Sequence, residues 1–137
     1  MTKRLMVVLA ILVSIGSVAV AADALAAARS GPWRGQATST DGSFKYGKVS
    51  FRVRGSYIRD LKIESVTVSG CGGLGMKTIF VPKARIRGTK FSAAYQPVPD
   101  VEDTIIVRGT INGSKAKGTF SEGPLCQGKG KFTARAR

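Results

Sequence analysis

The sequence predicts an all-β domain: a single antiparallel β-sandwich or flattened barrel of seven to nine short strands, preceded by a helical signal peptide. Three observations carry the prediction. After residue 28 the chain holds fifteen Val and Ile and nine Thr but only three Leu. Branching at Cβ stiffens a side chain in a helix and suits a pleated sheet. Glycine punctuates this stretch every few residues, as short strands and tight turns require, and crossover helices have no room between the turns, so the strands must run antiparallel.

The elements follow in order. Gly31-Pro-Trp33-Arg-Gly35 opens the domain and 36–40 continues it as a first strand, ended by the turn signal Asp41-Gly42. Residues 48–54 alternate, with Val49, Phe51 and Val53 on one face and Lys48, Ser50, Arg52 and Arg54 on the other. Gly55-Ser56 turns the chain into a third strand, 57–69. There Ile58 is out of phase with Leu61 and Ile63, which predicts a bulge near Arg59-Asp60, and the phase slips again before Val66. A glycine loop over 70–75 holds Cys71. Residues 78–81 form a short strand expected to stop at Pro82, and 84–87 and 90–95 flank Gly88-Thr89, a hairpin turn or another bulge. After a Pro-containing loop, 103–111 pairs with 115–121 across the hairpin signal Asn112-Gly113. Gly123-Pro124 is expected to break that strand. Residues 129–135 close the domain, with Phe132, Ala134 and Ala136 on one face and Lys131, Thr133 and Arg135 on the other.

The amino-terminal segment reads differently. Thr2-Lys3-Arg4 is a positive lead, 5–22 is almost unbroken apolar sequence, and 23–28 is rich in alanine, the pattern of a secretory signal peptide. Ala19-Val-Ala21 and Ala26-Ala-Ala28 both offer small residues for cleavage. Cleavage after Ala28 is preferred over cleavage after Ala21, dividing the chain into a signal peptide, 1–28, and a secreted β domain, 29–137. An uncleaved anchor is the rival reading. No later stretch is long and apolar enough to cross a membrane, so the cleaved chain is not expected to be an integral membrane protein.

Removing Lys3, Arg4 and Asp23 with the signal leaves 20 basic and 7 acidic residues, a net of +13. A field of that sign favours anionic partners. Cys71 and Cys126, the only cysteines, are expected to form a disulfide in an oxidising secreted or periplasmic compartment. The bridge closes a loop of 56 residues, worth about 4 kcal/mol on the chain-entropy model.

Catalytic and cofactor chemistry finds few residues to use. The chain has no histidine, the most frequent general base and metal ligand. Gly70, Gly72 and Gly75 spell G-x-G-x-x-G, but a strand pattern rather than a helix follows, so no nucleotide cofactor is expected. Asp100, Glu102 and Asp103 gather after two prolines; they suit calcium chemically but lack any known loop spacing, so a solvated loop and no metal is the expectation. Asn112-Gly-Ser114 matches a glycosylation sequon and equally a hairpin turn, which is the reading adopted.

The remaining constellation is basic. Arg52 and Arg54 share the outer face of one strand, Arg85 and Arg87 of another, and Lys131 and Arg135 of the last. If these strands are neighbours, their cations form one patch able to grip phosphate or carboxylate. Phe44, Tyr46, Tyr57 and Tyr95 are candidate stacking partners.

Two resemblances add expectations. Gly31-x-Trp33 in a first strand, with Arg135 and Arg137 at the end, resembles the lipocalin and wider calycin barrels, which implies a tryptophan packed near the barrel base against a late arginine, around a small apolar ligand. Over the whole domain, G-x-W-x-G, Val49-Ser-Phe-Arg-Val53, Cys71, Cys126 and the closing Phe132-Thr-Ala-Arg135 resemble small exported bacterial β proteins of unassigned role, which implies export, a β domain and one disulfide. The functional expectation is a non-enzymatic secreted or periplasmic domain that binds an anionic macromolecule or envelope surface. The alternatives are a protein-interaction or inhibitor module, and a calycin-like barrel for a small apolar ligand.

Overall fold

The computed structural model describes residues 27–137. The expected signal peptide and its cleavage lie outside the described residues, apart from its last two positions, of which Ala28 packs against the core. The chain from 31 onward is all-β: β1 (Gly31–Thr38), β2 (Lys45–Arg54), β3 (Tyr57–Val68), β4 (Gly75–Arg87), β5 (Lys90–Tyr95), β6 (Asp103–Asn112), β7 (Lys115–Pro124) and β8 (Gly128–Ala136). Each strand pairs antiparallel with the next, and β1 pairs with β8 from Trp33↔Ala136 to Thr38↔Lys131. The sheet therefore closes on itself. Of the two architectures the pattern allowed, the chain adopts the barrel, which leaves no free first or last strand to aggregate.

Alternation builds the interior. Val49, Phe51 and Val53 of β2 point inward, as do Ile105, Val107 and Ile111 of β6 and Phe132 and Ala134 of β8, all buried. In β3 the inward set is Ile58, Leu61, Ile63, Val66 and Val68, which a strict period of two cannot deliver. Asp60 (φ 52°) and Ser65 (φ 55°) supply the missing residues as bulges, and the register shifts against β2 between Ser50 and Arg52 and against β4 between Ile63 and Val66. Both phase slips expected from the sequence are thus backbone features.

The barrel is flattened: β3 and β8 approach one another across the interior. Gly128 of β8 permits this, since a Cβ there would stand 2.8 Å from Val68 Cγ1, and glycine also lets neighbouring strands close up at two inward positions. A Cβ on Gly35 would collide with the Thr133 carbonyl oxygen and stand 2.7 Å from the Ala134 Cα, and one on Gly118 would stand 2.8 Å from the Phe132 ring. The space left by missing side chains is filled by aromatic rings, with Phe91 and Phe132 centroids 6.3 Å apart. Trp33 is fully buried and stacks on Phe51 (5.4 Å, 18°), and its indole Nε1 donates to the Arg29 carbonyl at 2.8 Å.

Two strand ends differ from expectation. β4 does not stop at Pro82 but runs on to Arg87. Proline cannot donate to a ladder, but Pro82 stands opposite the Asp60 bulge, and β4 joins β5 only through Arg85, Ile86 and Arg87. No bond to β5 is therefore lost at Pro82. Likewise β7 continues through Gly123 and Pro124, which pair with Thr104 and Asp103. The residue-88 break is a hairpin turn, with Gly88 at φ 61°.

Cys71 and Cys126 form the expected disulfide, their Cα atoms 4.7 Å apart. It ties the β3–β4 loop to the β7–β8 loop, on opposite sides of the barrel mouth. Ser69 and Gln127 reinforce it through paired backbone hydrogen bonds of 2.9 and 2.7 Å. Among the described residues no helix is long and apolar enough to cross a membrane.

Candidate functional site

An up-and-down barrel has two ends, and here they are built differently. At one end lie the tight connections 55–56, 88–89 and 113–114, together with residue 29 and the end of β8. Arg29 N donates to the Gly113 carbonyl and Ala136 N to that of Ser114, so the entry to β1 and the end of β8 are pinned to one hairpin. This is the turn end. At the other, loop end lie the longer connections 39–44, 69–74, 96–102 and 125–127.

The six basic residues singled out from the sequence do not form one facial patch. Arg54 pairs with Tyr57, which pairs with Arg85, and Arg52 pairs with Arg59, which pairs with Lys83. Arg52, Arg54 and Arg85 therefore share one face over β2–β4. Arg87 extends that face to the β4–β5 hairpin opposite Lys90. Arg135 stands elsewhere, between Arg34 of β1 and Lys115 of β7, and Lys131 lies farther toward the loop end between Thr38 and Thr119. β4 is four strands from β8 in either direction, so Arg85 and Arg135 occupy opposite sides of the barrel. The expectation of a single patch fails because the strands that carry it are not neighbours.

What joins all of them except Lys131 is their level along the axis. The turn-end halves of the strands carry Arg34, Arg52, Arg54, Arg59, Lys62, Lys83, Arg85, Arg87, Lys90, Arg108, Lys115, Lys117 and Arg135, flanked by Arg29 and Arg137. Six of the seven acidic residues after residue 28 (Asp41, Glu64, Asp100, Glu102, Asp103 and Glu122) lie on the loop side, and Asp60 alone lies on the turn side. The domain is a cationic collar on a nearly neutral base. Two open depressions flank the collar, one lined by Arg34, Lys115, Lys117, Arg135 and Arg137, the other by Arg52, Arg54, Arg59 and Lys83. Among the described residues no arginine forms an ion pair within 4.0 Å. Tyr57 organises one side, with Lys83 Nζ 4.0 Å and the Arg59 guanidinium 5.5 Å from its ring centroid. Of the candidate aromatics, Tyr57 alone joins the collar; Phe44 stands on a loop-end connection, Tyr46 bonds the Lys129 carbonyl, and Tyr95 ends β5 at the loop end.

Sequence reasoning passed over Arg59, Lys83, Lys115 and Lys117. Alternation marks the last two, since Ala116 and Phe120 face inward between them and beyond. Arg59 and Lys83 are harder to find, because each sits beside the bulge that resets which residues face outward.

Among the described residues the buried charges, Asp103 and Glu122, lie at the loop end. Glu122, with a fully buried side chain, accepts from Lys77 Nζ through both oxygens at 2.7 and 2.8 Å. Asp103 is also buried and accepts from Cys126 N at 3.1 Å, so it does not stand with Asp100 and Glu102 in the expected solvated acidic loop. Burial raises the Glu122 pKa above its ordinary value, Lys77 opposes this, and Asp103 adds to it. Asp103, Glu122 and Cys126 lie close enough to suggest a metal set, but Cys126 is consumed by the disulfide and offers no thiolate. Because the raised pKa favours the neutral carboxyl in the fold, Glu122 contributes stability at low pH that is lost as pH rises through that raised value. Lys77→Met is therefore expected to destabilise the barrel by roughly 2–3 kcal/mol near neutral pH, somewhat less than breaking a fully buried pair. The deficit should shrink on acidification as Glu122 takes up a proton, and urea midpoints at neutral and mildly acidic pH measure it.

Asp41 behaves oppositely. Bonds from the Ser39 hydroxyl and from the Ser43 amide and hydroxyl hold its pKa at about 2.

Trp33, Phe51, Phe91, Phe120 and Phe132 lie in the interior with the aliphatic core. Trp33 contacts Phe51 and Arg29, and among the described residues no arginine side chain stacks on it. No protein-family model, no curated protein and no solved structure matches the chain.

Proposed function

We propose that this barrel is a non-enzymatic binding domain, exported to a secreted or periplasmic compartment, that engages anionic macromolecules or envelope surfaces through its turn-end collar. The observation that carries this reading is the axial separation of charge. A cation at the collar meets acidic competition inside the domain only from Asp60, so its field is available to a partner. The disulfide and the amino-terminal leader pattern support the compartment, and the absence of histidine from the sequence supports binding over catalysis. Fold likeness contributes nothing here, because barrels of this topology host unrelated activities.

Affinity for labelled polyphosphate, measured against salt concentration, tests the proposal. Several cation–phosphate contacts should give a linear fall of log K with log salt, by roughly one unit per contact. Binding that is indifferent to salt, or absent at low salt, contradicts it.

A second reading has its own observation. Phe44 (68% exposed), Leu74 (85%), Met76 (75%), Val98 (53%) and Leu125 (49%) all stand at the loop end. Such a cluster suits a protein-interaction module. Under that reading Leu74→Ser with Met76→Ser abolishes partner binding and raised salt does not, whereas polyanion affinity is untouched by the same pair.

A further inference from the structure

We infer that the partner of the collar is an anionic bilayer surface, on which the barrel stands with its turn end down. The inference rests on the anion-binding reading above and narrows it. Four features of the molecule select a surface over a soluble chain. First, the cations ring the rim. A linear polymer lying against one side does not reach Arg85 of β4 and Arg135 of β8 together, because their strands stand four apart in either direction round the barrel. A plane perpendicular to the axis reaches both at once. Second, the turn end is flat, since its three connections are each two residues long and stitched to neighbours. Ile86 N donates to the Ser56 carbonyl and Ile111 N to that of Thr89. Among the described residues no loop projects to hold a plane away.

Third, the chain enters the barrel at this same end. Residue 29 is bonded to the 113–114 turn, and in the sequence the apolar stretch 5–22 is joined to it through six residues. While that stretch occupies a membrane, the collar is the face nearest the headgroups. Fourth, the acidic residues at the far end offset its lysines, so an anionic plane attracts one end of the barrel and not the nearly neutral other, which favours one orientation as well as affinity. Each cation close to an anionic bilayer strengthens binding by roughly fivefold.

The test uses residues 27–137. This barrel is a closed hydrogen-bonded unit, with a buried core drawn from Trp33 to Ala134, and a cooperative thermal melt checks it for every variant. Binding is measured by co-sedimentation with phosphatidylcholine vesicles, with and without phosphatidylglycerol, and in parallel with soluble polyphosphate. The expected result is binding that needs phosphatidylglycerol and is released by salt. Arg54→Glu/Arg85→Glu on one side and Lys115→Glu/Arg135→Glu on the other should each weaken it by at least about 25-fold. Lys45→Glu/Lys129→Glu at the loop end should leave it nearly unchanged. Loss from only one side pair overturns the end-on geometry. Binding to polyphosphate without binding to phosphatidylglycerol vesicles overturns the surface inference and leaves the anion-binding reading standing. Equal binding to both vesicle types overturns the charge basis. Failure to bind either probe removes both readings.

Discussion

Replacing Cys71 and Cys126 together by serine is expected to lower the unfolding free energy by about 4 kcal/mol. The separation of 55 residues sets the magnitude, because the bridge removes loop entropy from the unfolded chain. Its place in the fold makes the loss visible. The bridge joins loops on opposite sides of the mouth, next to the Ser69–Gln127 backbone pair and the Asp103 bond to Cys126 N. Without it, those three contacts must hold the mouth by themselves. Net stability of a domain this size is commonly about 5–15 kcal/mol, so the double variant should melt roughly 15–20 °C lower. Reducing agent should shift the native chain by a similar amount and leave the double variant unmoved. An unchanged midpoint in both experiments would mean that the paired strands, rather than the bridge, close the barrel.

Trp33→Ala is expected to cost about 3–5 kcal/mol. The side chain is fully buried, stacks on Phe51, and satisfies the Arg29 carbonyl. Its removal leaves a large void where β1 meets both β2 and β8, between Phe51 and Ala136. Trp33→Phe separates the contributions. It keeps most of the apolar contact but forfeits the indole donor, so it should cost about 1–2 kcal/mol. Denaturant midpoints of the two variants measure the difference. Equal costs would place the stabilisation in the hydrogen bond rather than in the packing.

Much of the fold was legible in the residues. The alternation of 48–54 gave β2 its faces, Asn112-Gly113 gave the β6–β7 hairpin, and the phase errors at Ile58 and Val66 located both bulges. Those signals are local: each depends on a few neighbouring side chains and on one backbone rule. Pro82 misled because its strand-breaking tendency is a statement about a missing donor, and β4 happens to need no donor toward β5 at that point. Barrel against sandwich could not be read, because closure is a pairing of Trp33 with Ala136 across the length of the domain, and no local signal reports it. Gly35 and Gly118 stand where backbone and aromatic rings approach too closely for any side chain.

The site was legible residue by residue and not as a site. Outward arginines on β2, β4 and β8 follow from alternation, but whether they meet depends on strand order. A patch was expected where the chain builds a ring. The separation of acids from bases becomes readable once the chain is laid out as a meander. The three short turns then fall together at one end and the long loops at the other, and charge sorts with them.

Under the proposed function, placement of charge rather than its total makes this barrel a binding domain. Two variants with the same net charge test it most directly: Arg54→Glu/Arg85→Glu/Arg135→Glu at the collar, and Lys45→Glu/Lys129→Glu/Lys131→Glu toward the loop end. At low salt, the collar variant should lose polyphosphate affinity by at least about 100-fold, and the loop-side variant should stay within about threefold of the unaltered chain. Equal losses in the two variants would show that overall charge alone attracts the partner, and the collar would then have no role of its own.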